Sequence, residues 1–282
     1  GAEVEAELAR AGGIQVASPG FAAYQPDPAI AARAHAALKQ LAEMVLKVFG
    51  EESQSAIFRV RSDIPPGRGM GSSAALCVAM IRAVCGLFDR QLSPEETARL
   101  ALDAERMFHA APSGIDTTVA AYDMPVYFVK RKGPHPVEAG QTSFRFLIAD
   151  TGVSSSTADV VRDVARLRDA DRARYDALFW EAGSMASVAR EVIRCGSRAE
   201  LGMCMNRNQE LLAEIGVSCA EADRLVEAAR EAGAAGAKIS GAGRGGVVLA
   251  LLGDETNEPA LASALKQAGA KDIYETELRP AG

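Results

Sequence analysis

Residues 65–75 read Pro65-Pro66-Gly67-Arg68-Gly69-Met70-Gly71-Ser72-Ser73-Ala74-Ala75. Gly67, Gly69 and Gly71 alternate within five residues, and Ser72 opens a stretch to Phe88 that is apolar nearly all round, the mark of a buried helix. Glycines let backbone N–H groups reach a ligand with no side chain in the way. A helix begins with unpaired N–H donors and the positive end of its dipole. The combination predicts an anion site, most naturally for the phosphates of a nucleotide, with the Ser72 and Ser73 hydroxyls available to phosphate or Mg²⁺. The plainer alternative is a glycine turn that caps a core helix; two prolines before the glycines and two serines after them weigh against it. A Walker A loop is excluded, because G-x-x-x-x-G-K-[ST] does not occur.

Outward from this loop, the pattern is mixed. Residues 3–17 read as two extended runs around a Gly12-Gly13 turn, 29–49 as a helix, and 55–61 as a strand. Ser93, Pro94 and Glu96 form a capping-box start to a helix ending near His109. Strands are predicted at 126–129 and 144–149, flanking a loop with Gly133-Pro134. After Asp150-Thr151-Gly152 the character changes. Helices are predicted at 157–168, 171–194 and 197–215, and a fourth is expected to start at Ser218, with Glu221 completing a capping box. A glycine-rich loop over 238–246, a strand at 247–252, a helix at 258–268 and a strand at 272–277 close the chain. The class is α+β, with two domains, 1–150 and 151–282.

Composition narrows the function classes. The chain has 282 residues, 48% apolar and 24% charged, with a net charge of −6. That supports a substantial core and argues against disorder. No basic patch predicts a nucleic-acid partner, and no Lys/Arg run or long apolar run predicts a membrane partner. Any anionic ligand must be held by local groups, because the global field opposes it. The cysteines, Cys77, Cys85, Cys195, Cys204 and Cys219, form no C-x-x-C pair and read as buried thiols. His35, His109 and His135 lack metal-ligand spacing. No signal peptide is read, and the cytoplasm is the expected compartment.

Gly241-Ala242-Gly243-Arg244-Gly245-Gly246 satisfies G-x-G-x-x-G to the letter. A dinucleotide loop needs a strand before it and a helix after it. The predicted order here is a helix before and a strand after, which rejects that reading. Such a loop lets two backbones, or a backbone and a ligand, come close. Two carboxylates complete the candidate chemistry. Glu105 lies late in the helix begun at Ser93, and Asp116 follows the turn Pro112-Ser113-Gly114. Singly, these read as a solvated face residue and a cap. Phosphoryl transfer, however, needs a metal ligand and a group that positions or deprotonates the acceptor hydroxyl.

Residues 65–75 resemble the second signature of the GHMP kinases, P-x-x-x-G-L-G-S-S-A-A, and Lys238-Ile-Ser-Gly-Ala-Gly-Arg-Gly-Gly246 resembles their third. Glu105-Arg-Met-Phe-His-Ala-Ala-Pro-Ser-Gly-Ile-Asp116 is similar to the pattern E-R-x-x-H-G-x-P-S-G-I-D of the mevalonate kinase branch. Asp150-Thr-Gly-Val153 with Ser156-Thr157, and Asn208-Gln-Glu-Leu-Leu212 through Ser218, also agree with that branch. The resemblance covers nearly all of 50–282. It implies a two-domain GHMP kinase fold, ATP and Mg²⁺ as cofactors, and phosphorylation of the C5 hydroxyl of mevalonate in isoprenoid biosynthesis. It implies ATP contacts from Pro66, Gly67, Arg68, Gly69, Met70, Gly71, Ser72 and Ser73. Mg²⁺ would sit on Ser73 and Glu105, with Asp116 as the base. Ser113, Gly114, Asp116, Thr151, Gly241 and Ala242 would be near substrate. A homodimer is a family expectation.

Three departures stand out. The family's opening signature, P-G-K followed by G-E-H-A-V, does not occur in these 282 residues. The N-terminal domain is therefore expected to lack its first strands and the lysine partner of Asp116. Arg244 replaces a usual glycine and is expected to contact phosphate or to point outward. Ala110-Ala111 replaces Gly-x after His109. The alternatives are another GHMP kinase of the phosphomevalonate or homoserine class, the related decarboxylase, and a non-catalytic ligand-binding member.

Overall fold

Alternation builds the first sheet. In the computed structural model, which describes residues 1–17, 28–65, 68–106, 112–130 and 132–280, β1 (Ala2–Ala9), β2 (Ile14–Ala17) and β3 (Ser55–Ser62) point alternate residues inward. β3 is central, antiparallel to β1 and parallel to β2. Its Ala56, Phe58 and Val60 are buried with Ile14 and Val16. They meet the apolar sides of α1 (Pro28–Phe49) and α2 (Ser72–Leu87), including Leu41, Val45, Met80 and Ile81. The all-round apolarity of α2 follows from its place. It packs on the sheet and is also covered by α1, α3 (Pro94–Glu105) and α4 (Ile115–Tyr122).

Local signals set the helices that carry the site. The Ser93 hydroxyl accepts from Glu96 N–H at 3.2 Å and the Glu96 carboxylate accepts from Ser93 N–H at 2.8 Å, the reciprocal capping box read from the sequence. α4 begins at Ile115, so Asp116, read only as following the turn Pro112-Ser113-Gly114, belongs to a helical first turn. Arg82 of α2 donates to the Ala121 carbonyl at 3.0 Å and so fastens the end of α4. β4 (Val126–Val129) follows.

Contacts divide the chain into two units, Gly1–Pro66 with Met70–Phe128, and Gly67–Gly69 with Val129–Gly282. The sequence division was placed at residue 150, whereas the contacts divide inside β4. The reason lies in β6 (Phe144–Asp150), which follows β5 (Gly133–Pro136). β6 hydrogen-bonds on both sides within the second sheet and belongs to that unit. The residues read as a loop at Gly133-Pro134 form β5 instead.

The second unit adds α5 (Thr157–Ala170), α6 (Arg172–Cys195), α7 (Arg198–Ile215), α8 (Ala220–Glu231), β7 (Gly236–Ser240), β8 (Val247–Leu251), α9 (Glu258–Gln267) and β9 (Ile273–Leu278). Its sheet order is β7-β8-β6-β9, antiparallel throughout. Leu147, Ala149, Ala237, Ile239, Val248 and Ala250 form one buried face with Leu211, Leu225 and Leu261. Two readings need correction. Residues 236–240 are a strand, hidden in the sequence because Gly-Ala-Lys-Ile-Ser offers little apolar alternation. Ser218 does not cap α8. Cys219 holds the cap position without a side-chain bond, and the Ser218 hydroxyl bonds Asp223 instead.

The edge of β7 is closed by α7. Asn206 and Gln209, one helical turn apart, accept from the N–H groups of Ala237 and Ile239 at 3.0 and 2.9 Å. Helix and strand meet through Gly202 and Gly236, where a Cβ on either would collide with the backbone of the other segment. Gln209 is buried and also donates to Ser218. Gln209→Leu leaves the buried Ile239 N–H without its acceptor. It is expected to lower stability by about 1–3 kcal/mol in urea unfolding.

Candidate active site

The first glycine loop ends at Gly71, in the first unit, which caps α2 in the left-handed region (φ 70°) with no side-chain hydrogen bond to the helix. The first N–H groups of α2 are thus not satisfied by a cap side chain, which suits an anion. Ser72 and Ser73 diverge. The Ser72 hydroxyl donates to the Ile64 carbonyl at 3.2 Å and so fastens the loop. The Ser73 hydroxyl donates to Glu105 at 2.9 Å. Glu105, in the last turn of α3, is only 5% exposed. Cys77 lies one turn beyond Ser73; burial, helped by the Glu105 charge, pushes its thiol up to about 12, so it is inert.

Asp116 stands beside Gly71. A methyl group on Gly71 would lie 3.6 Å from Asp116 Cβ and 3.7 Å from Cγ. Asp116 is exposed and occupies the first turn of α4, where the helix dipole favours a carboxylate. The turn before it is shaped by its neighbours. Ser113 Oγ accepts from Ile115 N–H at 3.3 Å, and the Gly114 carbonyl accepts the hydroxyls of Thr117 and Thr118 at 3.1 and 2.6 Å. Gly114, at φ 83°, is buried against Leu102. The first unit therefore gathers Gly71, Ser73, Glu105 and Asp116. Met70, also expected to contact ATP, belongs to the same unit and is half-buried. Pro66, Gly67, His109 and Ala110-Ala111 lie outside the described residues.

The second unit holds the other glycine loop. β7 precedes it and β8 follows it, so the loop joins two antiparallel strands. The dinucleotide reading stays rejected because no helix follows, although the element before it is a strand and not the predicted helix. Gly243 and Gly245 accept no Cβ, since one would strike the Val217 carbonyl and the other the Val153 carbonyl. A Cβ built on Gly241 or Gly246 would lie in ordinary contact range of Gly69 or Arg68 backbone atoms, respectively. Ala242 is half-buried. The loop is tied to the turn after β6. The Thr151 hydroxyl donates to Gly246 O at 2.8 Å, Gly246 N–H donates to Val153 O at 2.8 Å, and the Ser155 hydroxyl donates to Gly243 O at 2.6 Å.

Two arginines in the glycine loops have carboxylate partners within the fold. Arg68, expected among the ATP contacts, pairs with Asp150 at 3.1 Å. Arg244 adopts φ 53°, a region open to few residues besides glycine. Its side chain bridges the Gly216 carbonyl at 3.1 Å and Asp163 at 2.7 Å. The side chain is thereby held within the fold, and it staples the loop to α5 and to the end of α7. The Arg244 hydrogen bond foremost holds the Asp163 carboxyl below its ordinary range. Asp150 and Asp163 were not singled out from the sequence. The Asp at the head of Asp150-Thr-Gly-Val153 was visible there, but its arginine partner was not. The thiol reading holds for Cys77 and Cys85, which are buried, while Cys195 is exposed.

Residues 33–123 match the family model of the GHMP kinases N terminal domain, and residues 185–271 that of the GHMP kinases C terminal. The mevalonate kinase of Thermococcus gammatolerans is 33% identical over 287 residues, covering 99% of this chain and 84% of that relative. The chain belongs to the GHMP kinase family, in its mevalonate kinase branch. The mevalonate kinase of Aeropyrum pernix is 36% identical over 207 residues, covering 73% of this chain; the match spans 64% of that relative's length, just under two thirds. The crystal structure of L. major mevalonate kinase in complex with R-mevalonate superposes with a TM-score of 0.87 at 29% identity, covering 100% of this chain and 87% of that one.

A GHMP kinase of this branch implies Mg²⁺, and the Ser73–Glu105 pair fits it. Two hard oxygen donors stand 2.9 Å apart, one of them a buried carboxylate. No group of three or more His, Cys, Asp or Glu able to hold a metal occurs among the described residues. Mg²⁺ asks for less, because it takes one or two protein oxygens and fills its shell with water and phosphate.

Lys238, at the middle of β7, donates its ammonium to the Ile239 carbonyl at 2.7 Å, and burial pushes it down to about 8 from the ordinary 10.5. The charged form is disfavoured in the folded chain. That penalty is complete below pH 8 and fades as the pH rises from 8 to 10.5. Lys238→Met is therefore expected to raise the Tm at pH 7, with the gain shrinking towards pH 10.5, as followed by thermal unfolding across that range.

Proposed function

We propose that this chain transfers the γ-phosphoryl group of ATP to the C5 hydroxyl of mevalonate, giving 5-phosphomevalonate and ADP. The observation that carries the reading is Asp116 against Gly71, a carboxylate set beside the start of the helix whose N–H groups suit phosphate. The likeness to relatives named mevalonate kinase supports the choice of acceptor. A phosphoryl transfer is mostly positioning and charge stabilisation, and this chain carries groups for both tasks.

In this reading the backbone of 67–71 and the first turn of α2 take the phosphates, while Ser73 and Glu105 would hold Mg²⁺, which would neutralise phosphate charge. Asp116 orients the C5 hydroxyl and accepts its proton as the new O–P bond forms. The bond from the γ-phosphorus to the bridging oxygen breaks, and ADP leaves with that oxygen. Being exposed, Asp116 then returns the proton to solvent. Ser113 and Gly114 set the turn that presents Asp116. On the second unit, Thr151, Gly241 and Ala242 are the proposed substrate contacts. The Thr151 side chain there acts through the loop backbone that it holds.

The test is ADP release from the full chain with ATP and Mg²⁺, using mevalonate, phosphomevalonate and homoserine in turn. Turnover is expected with mevalonate alone; turnover confined to another acceptor would replace the substrate assignment. Asp116→Asn is expected to lower kcat by about 10²–10⁴ with little change in ATP affinity. An undiminished kcat would remove Asp116 from the role of base.

A further inference from the structure

Arg68 is the only charged residue in the glycine loop of 65–75. A guanidinium in such a loop would ordinarily be assigned to phosphate. Its surroundings give it another partner. Arg68 Nε lies 3.1 Å from Asp150 Oδ2, with the arginine side chain 20% exposed and the aspartate side chain 2% exposed.

Asp150 is itself held from several directions. Its other carboxylate oxygen, Oδ1, accepts from Gly152 N–H at 2.7 Å. Its backbone N–H donates to Asp272 O at 2.9 Å, and its carbonyl accepts from Lys271 N–H at 2.8 Å. It is the last residue of β6, an inner strand of the sheet. The main chain of Arg68 is also confined, because a Cβ on Gly246 would stand 3.5 Å from the Arg68 carbonyl oxygen. Gly246 is fixed in turn by Thr151 and Val153. Side chain and backbone of Arg68 thus bear on one rigid corner, made of the end of β6, the turn 150–153 and the second glycine loop.

We propose that Arg68 is a positioning residue. Its ion pair with Asp150 fixes the backbone of the first glycine loop in the shape that receives the phosphates of ATP, and the guanidinium does not itself bind phosphate. The inference rests on the reading of that loop as the ATP phosphate cradle. Three physical points support it. The carboxylate is almost wholly buried, so a partner drawn away to phosphate would leave a buried charge uncompensated, which is costly. A loop of alternating glycines has large conformational freedom, and one anchored side chain removes much of it. The chain is acidic overall, so preorganised N–H groups matter more for an anion than the mean field does.

The experiment measures ATP affinity by equilibrium titration, together with KM and kcat, for the wild-type chain and three variants. Asp150→Asn keeps an acceptor for Gly152 and removes the charge facing Arg68. Arg68→Met removes the pair outright. Arg68→Gln removes the charge but retains a donor for Asp150. Positioning predicts that Asp150→Asn and Arg68→Met each weaken ATP binding about tenfold, that Arg68→Gln recovers part of the loss, and that kcat at saturating ATP changes less than KM. Direct phosphate contact predicts that Asp150→Asn binds ATP as the wild type does and that Arg68→Gln is as poor as Arg68→Met; that result would overturn the proposal. Wild-type affinity in all three variants would overturn it too. If Asp150→Asn does not fold, the comparison of Arg68→Gln with Arg68→Met decides. Failure of the underlying reading has a different signature, since the wild-type chain would then not bind ATP.

Discussion

The structure depends on places where backbone meets backbone with no Cβ between them. Gly202 of α7 and Gly236 of β7 let a helix lie directly against a strand edge. Gly243 and Gly245 let the second glycine loop lie on the carbonyls of Val217 and Val153. At each of these positions a methyl group would collide with main-chain atoms, which cannot rotate aside as a side chain can. The contacts are not ligand sites in themselves. They bring polar backbone groups close enough to be hydrogen-bonded to one another, and so they make the loops rigid.

Rigidity of this kind suits the chemistry of an acidic chain. With a net charge of −6, the protein has no global attraction for a nucleotide. It offers instead oriented dipoles and a few placed oxygens. The start of α2 has no side-chain cap, Ser73 and Glu105 stand at hydrogen-bond distance, and Asp116 lies at the head of a short helix beside Gly71. The arginines in the two loops are each paired with an aspartate. Arg244 shows the principle most clearly. It takes a left-handed backbone, and its pairing with Asp163 and Gly216 holds that conformation.

Much of this was legible in residue order. The capping box at Ser93 and Glu96 is a local device, and it forms as read. The buried character of α2 followed from its composition, and the two glycine loops were visible as loops of close approach. Reading failed where the signal was not local. β7 is too short and too poor in large apolar residues to announce itself, and it exists because β8 pairs with it and α7 closes its edge. Ser218 has the look of a cap, but Gln209 and Asp223 engage its hydroxyl. The helix of α4 that carries Asp116 was not read, because it starts at a left-handed glycine without a capping side chain.

The sequence by itself determined the helices and most strands, the two glycine-rich loops, the candidate carboxylates and the family. Those features rest on spacing within a few residues, where propensity, capping and periodicity act. Tertiary structure alone decided which partner each polar group takes. Arg244 meets Asp163 across 81 residues of chain, and the Thr151 hydroxyl meets Gly246 across 95. Pairings of that length are set by how the sheet reverses the chain, a property of the whole fold that no short window carries. The first glycine loop, with which the reading began, is the clearest instance. Its residues announce a phosphate cradle, and only the fold shows that its one arginine is turned to Asp150.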